Sequence, residues 1–119
     1  MAAVTGLVSL SDSSNLSTYA CTSFTPALND LVVVIVQISG STLGVNTLVD
    51  DLGGTYTSVG FSSSAASANT VMVYIANALA ANSARVLTFD CTGDSATGIN
   101  WSVLAISGMT RVGADAARQ

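Results

Sequence analysis

Carboxylates are the only common acid–base or metal-binding groups in this chain. It has seven Asp and three Arg, with no His, Glu or Lys. Asp50 and Asp51 form the one adjacent acidic pair, beside Gly53-Gly54. A calcium loop would use such oxygens, but it also needs a longer ligand spacing and a bidentate Glu. The pair therefore reads as a tight turn in which Asp caps the backbone. Asp90 and Asp94 flank Cys91-Thr92-Gly93 and read as a second, solvated acidic turn. No spacing selects two carboxylates for glycoside hydrolysis. A Ser nucleophile would lack a His or Lys base. No Gly-x-Ser-x-Gly elbow occurs, and Gly53-Gly54 lacks the helix and Lys of a phosphate loop. No catalytic residue, metal ligand or cofactor is expected.

Cys21 and Cys91 cannot make a zinc site without His. A long-range disulfide is open to them outside a reducing cytosol. The reading adopted is two buried thiols, which pack as small hydrophobes. Trp101, Tyr19, Tyr56 and Tyr74 would make a sugar-stacking platform if exposed together. Trp101 shares its face with Ile99 and Val103, which favours burial. Tyr56 alternates with Thr55 and Thr57, making it the aromatic expected at the surface.

The three Arg (Arg85, Arg111, Arg118) form no cluster, so no nucleic-acid footprint is expected. Net charge is −4 and the sequence pI about 4.1. Only 8% of residues are charged, against roughly 25–35% on designed soluble surfaces. Ser, Thr, Asn and Gly must then provide the polar exterior. Such a surface can be buried against neighbours without desolvating charge, which hints at assembly. The N-terminus has neither a basic region nor an apolar core, so no signal peptide is expected. The longest apolar run, Leu31–Val36, falls far short of a membrane-spanning helix, and no membrane partner is expected.

The elements that must position these groups are short β-type runs punctuated by Gly, Asn, Asp and Ser. Val4–Leu10 is a first strand, followed by a polar turn at Ser11–Asn15. Ser17–Phe24 is the second, with Tyr19, Cys21 and Ser23 opposite Ala20, Thr22 and Phe24. Pro26 ends it and Asn29-Asp30 turns the chain. Leu31–Ile38 is apolar on both faces, so it should be central and covered on each side. After a loop at Gly40–Gly44, Thr47–Asp50 and Thr55–Phe61 read as a hairpin about Asp51–Gly54. Ser62–Asn69 is a loop. Thr70–Ala76 alternates Val71, Val73 and Ile75 with Met72 and Tyr74. Asn77–Ala84 is a loop with at most one helical turn. Arg85–Cys91 sets Val86 and Thr88 opposite Leu87 and Phe89, and Thr92–Thr97 turns. Ile99–Ile106 should be an internal strand. About eight strands with apolar faces require two layers: an all-β, two-sheet antiparallel β-sandwich, Ig-like or jelly-roll, over residues 1–108. Residues 109–119 read as a C-terminal arm or linker.

The phrase Val49-Asp50-Asp51-Leu52-Gly53-Gly54-Thr55-Tyr56-Thr57-Ser58-Val59-Gly60 resembles a hairpin of β-sandwich domains in bacteriophage virion proteins and phage-related surface proteins. The order around it is similar too: Leu31–Ile38 before, Val71–Ala76 and Val86–Phe89 after, and a closing Ala105-Ile106-Ser107-Gly108. Gly54 departs from that pattern, where Asn is common, and both residues suit a turn. The resemblance implies structural or binding work and transfers no catalytic residue. Together with the small size, the nearly uncharged surface, the missing catalytic groups and the lack of a signal peptide, it points to a capsid decoration module of the virion, homo-oligomeric (a trimer by preference), assembled in the host cytoplasm on the major capsid or another virion protein. The rival expectation is a tail, fibre or adhesin module that presents the loops Gly40–Gly44, Ser62–Asn69 and Asn77–Ala84 to a glycan or receptor.

Overall fold

Alternation of apolar and polar residues dictates most of the architecture. The computed structural model describes residues 2–39, 47–63, 69–76, 79, 83–92 and 96–108. The expected loop Gly40–Gly44, most of Ser62–Asn69 and Asn77–Ala84, the middle of Thr92–Thr97 and the 109–119 arm lie outside the described residues. The described residues form eight strands: β1 (Ala3–Asp12), β2 (Thr18–Ala20), β3 (Leu31–Ser39), β4 (Thr47–Asp50), β5 (Thr57–Ser63), β6 (Asn69–Ala76), β7 (Leu87–Asp90) and β8 (Gly98–Ser107). The described residues contain no helix. The protein is an all-β antiparallel sandwich of two sheets, five-stranded β1-β8-β3-β6-β5 and three-stranded β2-β7-β4.

The strand order distinguishes the two sandwich types. β1 pairs with β8, β2 with β7 and β3 with β6, as in a long hairpin rolled into two layers. That is the jelly-roll order. Its innermost pair, β4 with β5, is missing. β5 instead leaves the small sheet and joins β6 at the edge of the large one. The expected hairpin of Thr47–Asp50 with Thr55–Phe61 is therefore not formed. β4 pairs with β7, and residues 51–56 carry the chain from one sheet to the other.

Both strands expected inside a sheet lie there: β8 between β1 and β3, and β3 between β8 and β6. Val32, Val34, Val36 and Ile38 of β3 stack with Ile99, Trp101 and Val103 of β8 and Met72 and Tyr74 of β6 to form the core. Leu87, Phe89 and Tyr19 meet them from the small sheet. Each such aliphatic side chain gains about 1.5–3 kcal/mol from burial. The expectation that β3 is covered on both faces fails. Val33, Ile35 and Gln37 on its other face are only half-buried. Apolar residues on both faces of a strand imply a third layer, which the described elements do not supply.

Two strands are shorter than expected. β2 stops at Ala20, and Phe24 pairs with Arg85 only as an isolated bridge. Cys21 N–H reaches Leu87 O, but Phe24 N–H reaches Arg85 O. The extra residue between them turns Phe24 inward, so Cys21 and Phe24 are both buried despite their opposite parity. The same irregularity delays β7 until Leu87.

Candidate functional site

Asp50 ends β4 with its side chain turned into the protein and 5% exposed. One oxygen does what the sequence suggests: Leu52 N–H donates to Oδ1 at 2.8 Å, closing the turn. The other does not. Arg85 Nη1 donates to Oδ2 at 2.5 Å, and the Tyr56 hydroxyl donates to the same oxygen at 3.2 Å. Arg85 is itself 1% exposed. The sequence gives no sign of this buried pair, because its partners sit on different segments, 35 residues apart. Tyr56 is accordingly not the exposed aromatic expected from alternation. It is half-buried against the core, and burial, followed by the Asp50 charge, pushes its phenol pKa up.

Two glycines let the turn cover this pair. Gly53 adopts φ 74°, and its N–H donates to Asp50 O. Gly54 has no such backbone need. A Cβ there would run into Asp50 Oδ2 and Leu79 Cδ2, and would lie 3.0 Å from Arg85 Nη1. The Gly54-for-Asn exchange, harmless from turn chemistry alone, is therefore a steric requirement here. Asp51 Oδ1 accepts from Val86 N–H at 2.8 Å, tying the turn to the approach of β7. This arrangement is a buried clasp that ties the turn to the approach of β7.

Asp90 caps its own turn, with Thr92 N–H donating to Oδ1, and the Thr92 hydrogen bonds hold its carboxyl below the usual range. Asp94 lies outside the described residues. Trp101 is buried edge-to-face on Phe89 (centroids 6.5 Å apart, 88°), as its face suggested. Tyr19 and Tyr74 are buried too, so these aromatics form no exposed stacking platform. Cys21 and Cys91 are both buried, and the Cys91 thiol donates to Ser17 O. Burial raises the Cys21 thiol pKa. Among the described residues, no three Cys or Asp gather to hold a metal ion.

The feature without a structural explanation is the outer face of the five-stranded sheet. Pairing fixes its rows. Gly6, Leu104, Val33, Ile75 and Thr57 lie in one; Ser9, Ser102, Ile35, Val73 and Gly60 in the next; Ser11, Asn100, Gln37, Val71 and Ser62 in a third. Val4 and Ile106 extend the apolar end, with Val4 64% exposed. Val33, Ile35, Val71, Val73, Ile75, Leu104 and Ile106 are half-buried, with no helix or third sheet of described residues over them. The described strands place no charged side chain on this face. At its polar end a shallow cavity of about 170 Å³ is lined by Ser11, Asp12, Gln37, Ser39, Asn69, Thr97 and Asn100 among others.

Most of the described charges lie elsewhere, Asp12 at the end of β1 being the exception. Asp50, Asp51, Asp90 and Arg85 belong to the three-stranded sheet and its connections. The apolar outer residues of β3, β6 and β8 are visible in the sequence, but there they suggest a covered core. The signal that identifies them is their joint register in one sheet, which requires the topology. No protein-family model matches the chain, and no curated protein or solved structure matches it either. The likeness to phage β-sandwich domains thus rests on the quoted residues alone.

Proposed function

We propose that this chain is a non-catalytic structural module that works by surface contact: a capsid decoration protein, homo-oligomeric on a virion shell, with the major capsid or another virion protein as its partner. The observation that carries this reading is the outer face of the large sheet, with aliphatic residues in each of its rows and no charged side chain on the described strands. A face of this kind loses little on desolvation and gains from every methyl it removes from water. The jelly-roll strand order and the phage-like phrase at Val49–Gly60 agree with a virion role. The side-chain inventory supports work without turnover, since proton transfer and nucleophile activation would have to rest on Asp, Cys and Tyr alone.

A second reading has one observation in its favour. The cavity lined by Ser11, Asp12, Gln37, Asn69, Thr97 and Asn100 offers hydroxyls, amides and one carboxylate, groups that bind polar ligands such as glycans. A tail, fibre or adhesin module would use it. Immunogold labelling of virions with an antibody to this chain separates the readings. Regular labelling over the shell lattice supports decoration. Labelling at one vertex or a tail tip supports the fibre, and unlabelled virions overturn both.

A further inference from the structure

We propose that the outer face of the five-stranded sheet docks against the same face of a second copy of this chain, as a two-fold back-to-back pair. This rests on the reading of that face as the working surface and names its occupant.

Three observations select a second copy. The first is charge. The outer rows of β1, β8, β3, β6 and β5 hold only aliphatic, hydroxyl, amide and glycine residues. A partner must therefore present a patch that is itself uncharged and mixes aliphatic with hydroxyl and amide groups, and this face meets that condition for itself. The second is where the charge sits. Asp50, Asp51 and Asp90 belong to the three-stranded sheet, on the far side of each sandwich. Sheets stack about 10 Å apart, so a back-to-back pair holds its two acidic sides on the order of 30 Å from each other. That exceeds the screening length of about 8 Å at physiological salt, so these three carboxylates oppose docking weakly; Asp12, at the end of β1 beside the polar cavity, sets the edge of the docked area.

The third is area. Five strands about 4.8 Å apart, rising about 3.3 Å per residue over eight or nine paired positions, span on the order of 600 Å² in projection. Side-chain relief brings the accessible surface toward the roughly 800 Å² per partner of a stable interface. A face that meets itself across a two-fold axis closes at two copies, so the pair takes the place of the expected trimer as the basic unit.

Sedimentation equilibrium on the full chain tests this, with Ser102→Arg and Ile35→Lys as variants. Both side chains point outward from the middle row, so the core is untouched. The wild type should be a dimer at micromolar concentration. Each variant should raise its dissociation constant by a factor on the order of a hundred or more, because the new charge would be buried without a partner. Far-UV circular dichroism checks that the variants stay folded. Ser102→Cys is a second probe that does not depend on them: mild oxidation should link two copies through the introduced thiol, which would lie near the two-fold axis.

A wild-type dimer that both variants leave intact, with no cross-link in Ser102→Cys, overturns the proposal and the reading of the face together. A wild-type monomer that binds virion shells, and loses that binding in Ser102→Arg, overturns the second copy alone. So does a monomer that dimerises once residues 109–119 are deleted, since the face would then belong to the chain's own tail.

Discussion

Asp50 divides two tasks between two oxygens, and the second task sets the cost of losing it. Oδ1 holds the turn and Oδ2 holds buried Arg85. Replacing Asp50 and Asp51 by Asn looks mild from turn chemistry, yet it would leave the guanidinium buried beside a neutral amide. Urea denaturation should show a loss of about 3–5 kcal/mol, the range for breaking a buried pair from one side. A loss below about 1 kcal/mol would mean that water reaches Arg85 after the change. Gly54→Ala should also destabilise, because its Cβ meets Asp50 and Leu79 while Gly53 keeps the turn. The capping role was legible in Asp-x-x-Gly. The pair was not, since no local rule links residue 50 to residue 85.

Titration at this scale has a definite sign. The Cys21 thiol pKa is raised mainly by burial. Its contribution to stability is therefore full below the ordinary thiol pKa of about 8.5 and is lost as pH rises through the higher folded value. Iodoacetamide should modify native Cys21 far more slowly than the unfolded chain at pH 8, with peptide mass spectrometry as the readout. Asp12 and Asp90 work in the opposite direction. Hydrogen bonds from Ser14 and Thr92 lower their pKa values. Their stabilising contributions are present above the ordinary carboxylate pKa of about 3.9 and disappear as pH falls through the lowered values.

Among the elements, β3 and β8 were legible because long apolar runs leave no other place for themselves than the middle of a sheet. The β4–β5 connection was not, for an equally physical reason. Asp-Leu-Gly-Gly reverses a chain whether the next strand pairs with the last one or crosses to the other sheet. The choice is made by distant partners, β7 for β4 and β6 for β5. Hydrogen exchange tests the difference. Amides of β3 and β8 should exchange most slowly, being hydrogen-bonded on both sides within the large sheet. The edge strand β5, exposed along its whole length, should exchange much faster than β6. Protection of β5 equal to that of β6 would contradict its place at the edge of the sheet.

At the scale of the whole molecule, the chain is asymmetric between its two sides. One sheet carries the acidic turns and the clasp, and the other presents an uncharged outer face. Composition revealed how little charge there was but not where it lay. That segregation appears only once eight strands take their order. The central claim is that the outer face of the five-stranded sheet is the surface through which the chain works. Methyl NMR with a soluble paramagnetic probe tests it most directly, comparing dilute with concentrated protein. Methyls of Val33, Ile35, Val73, Ile75 and Leu104 should be broadened by the probe when dilute and shielded when concentrated, while Val49 and Leu52 near the small sheet stay accessible throughout. Shielding of Val49 and Leu52 in place of the outer-face methyls would contradict the account.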